Sequence, residues 1–270
     1  MIAMWTNASL VVVALGASAV LAAQAVDRRP AGPARTVVIA ELFTSEGCSS
    51  CPPADTLLRR IIAASPVPGV EVIGMGSHVD YWDRLGWRDP FSSALFSARQ
   101  SAYASAVFGS DQIYTPQLVV DGAFQTVGSD EAGVRAAIQK AAARPKATVT
   151  VAAARDAAGH AAVDVRIDAA AAADRHGDAD IVLAVTEDAL ITKVTRGENG
   201  GRNLEHAAVV RSLTTVGRLK ADQPLADAHA SLTLDPHWSA AHLHVVGFVQ
   251  ERGSRRILGA GTSPVREGSH

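Results

Sequence analysis

The sequence has very few cysteines, no excess of charge of either sign and no long apolar run. Its two cysteines lie in one tetrapeptide, Cys48-Ser49-Ser50-Cys51, which excludes a disulfide network and a four-cysteine metal site. The 25 basic and 27 acidic residues give a formal net charge of −2, which argues against nucleic acid or a polybasic membrane surface as the main partner. The chain also lacks a Gly-x-Ser-x-Gly motif, a paired-His helix motif and a dinucleotide-binding fingerprint. What remains is the chemistry of one cysteine pair.

The apolar run near the amino terminus, Leu10 to Ala23, is too short for a comfortable membrane span. It ends in Ala23-Gln24-Ala25, the small-x-small pattern that signal peptidase recognises. We therefore predict a signal peptide over residues 1–25, a linker over residues 26–34, and a periplasmic or secreted protein with no stable membrane span after cleavage. The alternative is an uncleaved anchor, because no Lys or Arg precedes the run. Either way the protein meets an oxidising compartment, where a cysteine pair can stay oxidised.

The pattern of the remaining chain changes near residue 145. Over residues 35–144, apolar β-branched runs alternate with segments of helical periodicity in the order β-α-β-α-β-β-α, with a hairpin turn at Asp121-Gly122. Residues 147–265 contain short strands separated by turns, and several strands alternate apolar and polar residues. The sequence therefore predicts an α/β domain with a parallel β-α-β unit, followed by an all-β sandwich-like domain.

The cysteine pair follows a buried strand predicted over residues 36–43 and precedes a helix that begins at or just before Pro52. The unpaired amide groups and the dipole of that helix stabilise a thiolate at Cys48, and the turn between strand and helix keeps this sulfur at the surface. We assign Cys48 as the attacking thiol and Cys51, one turn inside the helix, as the thiol that resolves the mixed disulfide. The predicted function is a thiol–disulfide oxidoreductase without a cofactor, which acts on a cysteine-containing protein or a small thiol and has a redox partner of unknown identity.

Two other roles for the pair stay open at this point. A permanent disulfide across so short a loop stabilises only modestly, and the chain would then be a non-catalytic secreted binding or accessory module. The pair can also supply two metal ligands, as in a metallochaperone. No further spacing in the chain identifies a ligand set, so we predict no resident metal.

Thr115-Pro116 and Glu41 are the candidate helpers of the cysteine pair. A proline at the start of an apolar strand cannot donate a hydrogen bond to the neighbouring strand, so its presence there calls for an explanation. One explanation is a cis peptide bond that turns the backbone toward a site. An ordinary trans proline at an edge strand is the alternative. Glu41 shares a strand face with Ile39 and Phe43, where a half-buried carboxylate can shuttle the proton of the buried thiol. A solvated or hydrogen-bonded structural Glu is the other interpretation.

An aromatic loop follows the second predicted strand and carries His78, Asp80, Tyr81, Trp82 and Trp87. If this loop borders the cysteine pair, these residues are predicted to bind substrate, and His78 can assist proton transfer. Alternatively they cover the edge of the domain and hydrogen-bond one another. The scattered histidines of the second half are expected to be exposed, namely His206, His237, His242 and His244.

Three segments of the chain resemble one known family: Glu41 to Pro52, His78 to Trp87, and Tyr114 to Gln117. They are similar to a bacterial family of secreted, thioredoxin-like proteins catalogued as a domain of unknown function. The resemblance covers the first domain and continues through Asn203 to Arg211. It implies a thioredoxin-like fold for residues 35–144 and no particular substrate.

The wider thioredoxin superfamily implies roles for four residues where its motifs match. Cys48 resembles the exposed nucleophile of that superfamily and Cys51 its buried partner. Pro116 resembles the cis-proline that faces the disulfide, and Thr115 the preceding residue, whose backbone pairs with a bound peptide. The dipeptide between the cysteines is Ser-Ser rather than Gly-Pro or Pro-His, and no Trp precedes Cys48. The direction of electron flow therefore stays open.

Overall fold

Strands from both halves of the chain hydrogen-bond into one mixed sheet of eight strands. The computed structural model describes residues 35–156, 158–172 and 174–268, of which 43% lie in strands and 19% in helices. The predicted signal peptide, residues 1–25, and the predicted linker, residues 26–34, lie outside the described residues. Among the residues that are described, we find no helix with both the length and the apolar character needed to cross a membrane.

The first half of the chain contains seven of the elements. They are β1 (Thr36–Thr44), α1 (Pro52–Ala63), β2 (Val70–His78), α2 (Ala94–Ala106), β3 (Gln117–Val120), β4 (Phe124–Val127) and α3 (Glu131–Ala142). The second half contributes strands, which are β5 (Thr148–Arg155), β6 (His160–Asp168), β7 (Ala179–Glu187), β8 (Leu190–Lys193), β9 (Asn203–His206), β10 (Val209–Leu219), β11 (Leu225–Thr233), β12 (Leu243–Glu251), β13 (Ile257–Pro264) and β14 (Arg266–Glu267).

Local signals explain where several elements begin. Prolines occupy the first two positions of α1, where an amide hydrogen has no partner within the helix. The side chain of Asp130 caps α3 by accepting a hydrogen bond from the amide of Gly133. The turn between β3 and β4 lies at Asp121-Gly122 as predicted, and both residues have the left-handed backbone that this tight turn needs. A side chain at Gly122 would also meet the carbonyl oxygen of Arg255 at 2.1 Å.

The large sheet has the order β13-β12-β7-β10-β2-β1-β3-β4. Strands β1 and β2 pair in parallel, which confirms the predicted β-α-β unit, and β3 and β4 extend this end of the sheet as antiparallel strands. Strand β10 joins the free edge of β2 in parallel through Val209 and Gly76. The antiparallel strands β7, β12 and β13 complete the other end.

Helices cover one end of this sheet and a second sheet covers the other. Helices α1 and α3 pack on the face of β1 that carries Val38 and Leu42, while α2 packs on the opposite face through Phe96 and Tyr103. The second sheet, in the order β11-β6-β5-β14, packs on β7 and β12 through apolar residues such as Val165. Strands β8 and β9 form a separate two-stranded ribbon.

The predicted fold class, a thioredoxin-like α/β domain followed by an all-β sandwich-like domain, is wrong. The β-rich half is not separate, because its strands continue the sheet of the first half, and Val182 and Phe248 share a core with Ile39 and Met75. An isolated first domain would leave the edge of β2 unpaired, and β10 removes that exposed edge. Periodicity within one segment does not encode which distant strand occupies such an edge. The domain ranges 35–144 and 147–265 stay a prediction.

Candidate functional site

Cys48 and Cys51 form a disulfide at the junction of β1 and α1. Cys51 caps the helix with a helical backbone (φ −78°, ψ −38°), and its carbonyl oxygen accepts hydrogen bonds from the amides of Ala54 at 2.8 Å and Asp55 at 3.1 Å. Pro52 occupies the first helical position. The predicted location of the pair, between a buried strand and the start of a helix, is confirmed.

Both cysteines have an exposed fraction of 0%. The expectation that the turn keeps Cys48 at the surface is therefore wrong. Only the intervening Ser49 and Ser50 are exposed. Part of the chain that contacts the cysteine loop comes from the second half of the sequence.

This part is the turn between β8 and β9, residues 197–202, which we call the cover loop. Its Asn199 is fully buried, and the side-chain amide donates hydrogen bonds to the carbonyl oxygens of Glu46 at 2.8 Å and Cys48 at 2.9 Å. The carboxylate of Glu198 accepts a hydrogen bond from the amide of Ser49 at 2.9 Å. The cover loop therefore holds the backbone on both sides of the first cysteine.

Two residues that flank the cysteine pair in the chain belong to a group of interacting buried titratable side chains, which we call the polar cluster: Glu46, Asp55, His78, Asp89 and His206. The Nδ1 of His78 lies 2.7 Å from Oδ2 of Asp89, and Nε2 of His206 lies 3.1 Å from Oε1 of Glu46. The two imidazole rings meet edge to face with 4.9 Å between centroids. Such a concentration of buried ionisable side chains is found more often at functional sites than in ordinary cores.

The electrostatic state of the polar cluster follows from burial and pairing. Burial alone would lower the pKa of His78, but the adjacent charge of Asp89 and the hydrogen bond to it raise the pKa above its ordinary value. Burial would raise the pKa of Asp89, but His78 and two backbone amides outweigh that effect and lower it. Burial raises the pKa of Asp55, although the charges of His206 and His78 oppose the shift. The pairing therefore favours the charged forms of both His78 and Asp89, while Asp55 keeps its proton more readily than an exposed aspartate.

The aromatic loop borders the cysteine pair. The Cβ of Trp82 lies 3.1 Å from the position that a Cβ on Gly47 would occupy, and the indole nitrogen of Trp87 donates to Oε2 of Glu46 at 2.7 Å. The indole nitrogen of Trp82 donates to the hydroxyl of Thr115 at 2.8 Å. The Thr115-Pro116 peptide bond is cis. The loop thus joins the two segments that the sequence predicted to flank the site.

Other side chains of the aromatic loop bind helix α2 instead. The hydroxyl of Ser97 donates to Asp80 at 2.6 Å, and the hydroxyl of Tyr81 donates to Gln100 at 3.2 Å. These contacts match the interpretation in which the loop covers an edge and forms its own hydrogen bonds. That Asp80 and Tyr81 bind substrate stays a prediction.

Glu41 lies on the face of the large sheet opposite α1. Its carboxylate accepts two hydrogen bonds from Nε of Arg99 at 2.8 and 3.1 Å, and further ones from the hydroxyls of Ser77 at 3.1 Å and Tyr103 at 3.2 Å. Because every close partner of Glu41 belongs to β2 or α2, its contacts are those of a hydrogen-bonded structural residue. A role in shuttling the proton of a cysteine stays a prediction.

Several residues around the disulfide were not assigned from the sequence. His206 was expected to be exposed and is buried, and Asn199 is buried although the local sequence Glu198-Asn199-Gly200-Gly201 is typical of a turn. Asp55 had a usable signal, because it follows Cys51 by one helical turn and lies on the buried face of α1 with Leu58. Among the residues that the structure describes, no group of three or more His, Cys, Asp or Glu side chains is arranged to hold a metal ion.

One family model matches residues 39–250 of the chain, and its description is protein of unknown function (DUF1223). The chain belongs to the DUF1223 family. The matched residues include the cysteine pair, the polar cluster and the cover loop. The resemblance to a family of unknown function is thus confirmed. The thioredoxin-like fold that was attached to it is not, because this DUF1223 protein has one eight-stranded mixed sheet that spans both halves.

Two solved structures resemble this DUF1223 protein over most of its length. A crystal structure of a protein from Agrobacterium tumefaciens is 26% identical, with a TM-score of 0.65, and the match covers 89% of this chain and 99% of that one. HBP35 of Porphyromonas gingivalis is 14% identical with a TM-score of 0.64, over 88% of this chain and 78% of that one, which shows a likeness of fold alone. No curated protein sequence matches the chain.

Proposed function

We propose that this protein is a thiol–disulfide oxidoreductase of the periplasm or the cell exterior, which acts through Cys48 and Cys51. The observation that supports it most is a disulfide between residues only three apart in sequence, flanked in the chain by Glu46 and Asp55 of the buried polar cluster. So short a loop restricts the unfolded chain little, so the disulfide adds little stability for its position. Buried ionisable groups carry a desolvation cost that a purely structural site does not require. The predicted signal peptide supports the location.

The reaction transfers two electrons between the cysteine pair and a partner with thiols. A substrate thiolate attacks Sγ of Cys48, the bond to Cys51 breaks, and its electron pair stays on Sγ of Cys51, which takes up a proton. A second substrate thiolate attacks the mixed disulfide, forms the substrate disulfide and releases the thiolate of Cys48. The reverse sequence reduces a substrate disulfide. In either direction the partner is a cysteine-containing protein or a small thiol. Trp82 of the aromatic loop and the neighbouring Thr115 supply the surface that binds this partner.

Trapping of the mixed disulfide tests this proposal. The Cys51→Ser variant cannot resolve the intermediate, so we expect it to accumulate mixed disulfides through Cys48 with proteins of the same compartment. The matched control is Cys48→Ser, which keeps only the thiol of Cys51 and should trap far less. The disulfide of the unmodified protein should have a reduction potential within the range of about −270 to −120 mV that redox-active pairs show.

A second candidate function is favoured by the complete burial of both sulfurs. In that case the disulfide is structural, and the protein is a non-catalytic secreted binding or accessory module. No trapped partner would then be found, and the reduction potential would lie below about −300 mV, as in structural disulfides. Such a result would contradict the oxidoreductase proposal.

We propose that the cover loop moves during exchange, because an attacking sulfur must reach the buried Cys48 and the cover loop binds the backbone next to it. We expect the Asn199→Ala variant to be reduced by dithiothreitol about tenfold faster than the unmodified protein. It loses two hydrogen bonds to backbone carbonyls, each worth about 0.5–1.5 kcal/mol, so the loop opens more often. The rate is measured by quenching with a maleimide and counting labelled cysteines.

The control for this experiment is Asn203→Ala, which removes an exposed asparagine amide nearby. Its reduction rate should match that of the unmodified protein. Equal rates for Asn199→Ala and Asn203→Ala would show that the cover loop does not control access to the disulfide.

A further inference from the structure

Breaking the disulfide places a proton on Cys51, and this residue has an exposed fraction of 0%. A sulfur without contact with water needs a nearby side chain to supply and remove that proton. The group must lie on the same side of α1 as Cys51, and it must itself exchange protons with solvent. Asp55 meets both requirements.

Helix geometry places Asp55 beside Cys51. The amide of Asp55 donates a hydrogen bond to the carbonyl oxygen of Cys51 at 3.1 Å, and the backbone of Cys51 is already helical. Residues four apart in a helix share one face, with about 5–6 Å between their Cβ atoms. The carboxyl group of Asp55 is buried and accepts a hydrogen bond from the hydroxyl of Thr44 at 3.2 Å.

A cavity of about 250 Å³ lies between α1 and β9. Asp55 and Arg59 line it from the helix, and His206 lines it from the strand. The exposed residues Thr56 and Glu205 also line it, so water can enter. Nδ1 of His206 is buried and has no hydrogen-bond partner among the described residues, so a water molecule in the cavity has a polar atom to bind.

Charged groups face Asp55 from each element packed around it. His206 faces it from β9, His78 from β2 and Asp89 from the aromatic loop, while Arg59 follows one turn later on α1 and forms an ion pair with Glu205. Burial has the largest effect and raises the pKa of Asp55. A carboxyl group that keeps its proton to higher pH is better suited to donate it near neutrality.

We propose that Asp55 exchanges the proton of Cys51, and that the cavity between α1 and β9 connects Asp55 to solvent. This inference rests on the proposed thiol–disulfide exchange. When the thiolate attacks Cys48, the electron pair of the broken bond stays on Sγ of Cys51, which takes the proton from the Asp55 carboxyl group. Water in the cavity then returns a proton to the carboxylate. In the reverse direction, the carboxylate removes the proton as Cys51 attacks. Asp55 thus takes the role that the sequence suggested for Glu41.

The test is the pH dependence of reduction of the full chain by dithiothreitol, with each rate constant expressed per reductant thiolate. In the unmodified protein we expect the rate constant to fall above the pH at which Asp55 loses its proton. This fall is a break in the plot of rate constant against pH. The Asp55→Asn variant should lose this break, and its rate at low pH should be about a hundredfold lower. A merely structural role would change thermal stability without removing the break.

Two further variants keep the test decisive. Glu131→Gln removes a carboxylate near the exposed side of α1 and should keep both the break and the rate. If Asp55→Asn does not fold by circular dichroism, Asp55→Glu replaces it, and its break should move to a different pH. An unchanged profile in either Asp55 variant, or loss of the break in Glu131→Gln, would overturn the role of Asp55. If dithiothreitol does not reduce the unmodified protein without denaturant, the proposed function itself fails.

Discussion

The Asp89→Ala variant is expected to lose about 3–5 kcal/mol of unfolding free energy, the usual loss when one partner of a buried ion pair is removed. The carboxylate of Asp89 lies 2.7 Å from Nδ1 of His78 and accepts hydrogen bonds from the amides of Glu46 and Phe91, each at 2.8 Å. Removing it leaves two backbone donors and one imidazole without their partner in a buried site. Urea unfolding at pH 6 measures the loss.

The chain offers a matched control for this variant in Asp235. This carboxylate also accepts hydrogen bonds from the amide and the Nδ1 of one histidine, His237, each at 2.8 Å, but the pair is exposed. Because solvent screens an exposed pair, Asp235→Ala should cost less than about 1 kcal/mol. Equal losses in the two variants would contradict the assignment of a buried ion pair.

The pair of His78 and Asp89 makes the free energy of unfolding depend on pH between two limits. The pKa of Asp89 is lowered by folding, so its contribution is present above the ordinary value of 3.8 and is lost as the pH falls through the folded value. The pKa of His78 is raised, so its contribution is complete below the ordinary value of 6.5 and is lost as the pH rises through the folded value. The pair therefore stabilises the fold most between these two pH limits. In Asp89→Ala the unfolding free energy should depend less on pH around both limits.

The Arg99→Met variant is expected to lose about 3–5 kcal/mol as well, because it leaves the carboxylate of Glu41 buried without a counter-charge. Arg99 joins three elements: Nε donates to Glu41, one terminal nitrogen donates to Gln250 at 3.0 Å, and the other donates to the hydroxyl of Tyr103 at 2.7 Å. Its guanidinium also lies over the ring of Phe248. The measurement is again the free energy of unfolding in urea.

Arg60→Met is the control, since Arg60 forms an ion pair with Glu131 in which both side chains are exposed. That variant should lose about 0–1 kcal/mol. The double variant Glu41→Gln with Arg99→Met removes both charges and should recover part of the loss, because no unpaired carboxylate remains. Strictly additive losses for Glu41→Gln and Arg99→Met would contradict direct coupling of the two side chains.

Short-range signals predicted many elements of the fold correctly. Pro52 and the apolar spacing placed α1, and the Asp121-Gly122 pair placed the β3–β4 turn, because each signal acts over a few neighbouring residues. The same reasoning did not predict β9 or the pairing of β10 with β2. Those features depend on which distant strand has an unpaired edge, and the residues of a strand do not indicate its distant partner.

The surroundings of the cysteines were the least predictable part of the site. Asn199 and His206 lie about 150 positions after the residues they contact, with sequence separations of 151 and 160. In the sequence both look like solvated polar residues of a turn-rich segment. Their burial comes from the β8–β9 ribbon folding back on the cysteine loop, which no local pattern indicates.

The position of both cysteines between a buried strand and a helix that starts with proline could be predicted from the amino-acid sequence, because backbone preferences and apolar spacing act locally. The burial of these cysteines, the location of Asp55 rather than Glu41 on their side of the sheet, and the continuity of the sheet through both halves became evident only in the folded chain. Burial, desolvation and charge pairing depend on contacts between segments far apart in the sequence, so local patterns do not predict them.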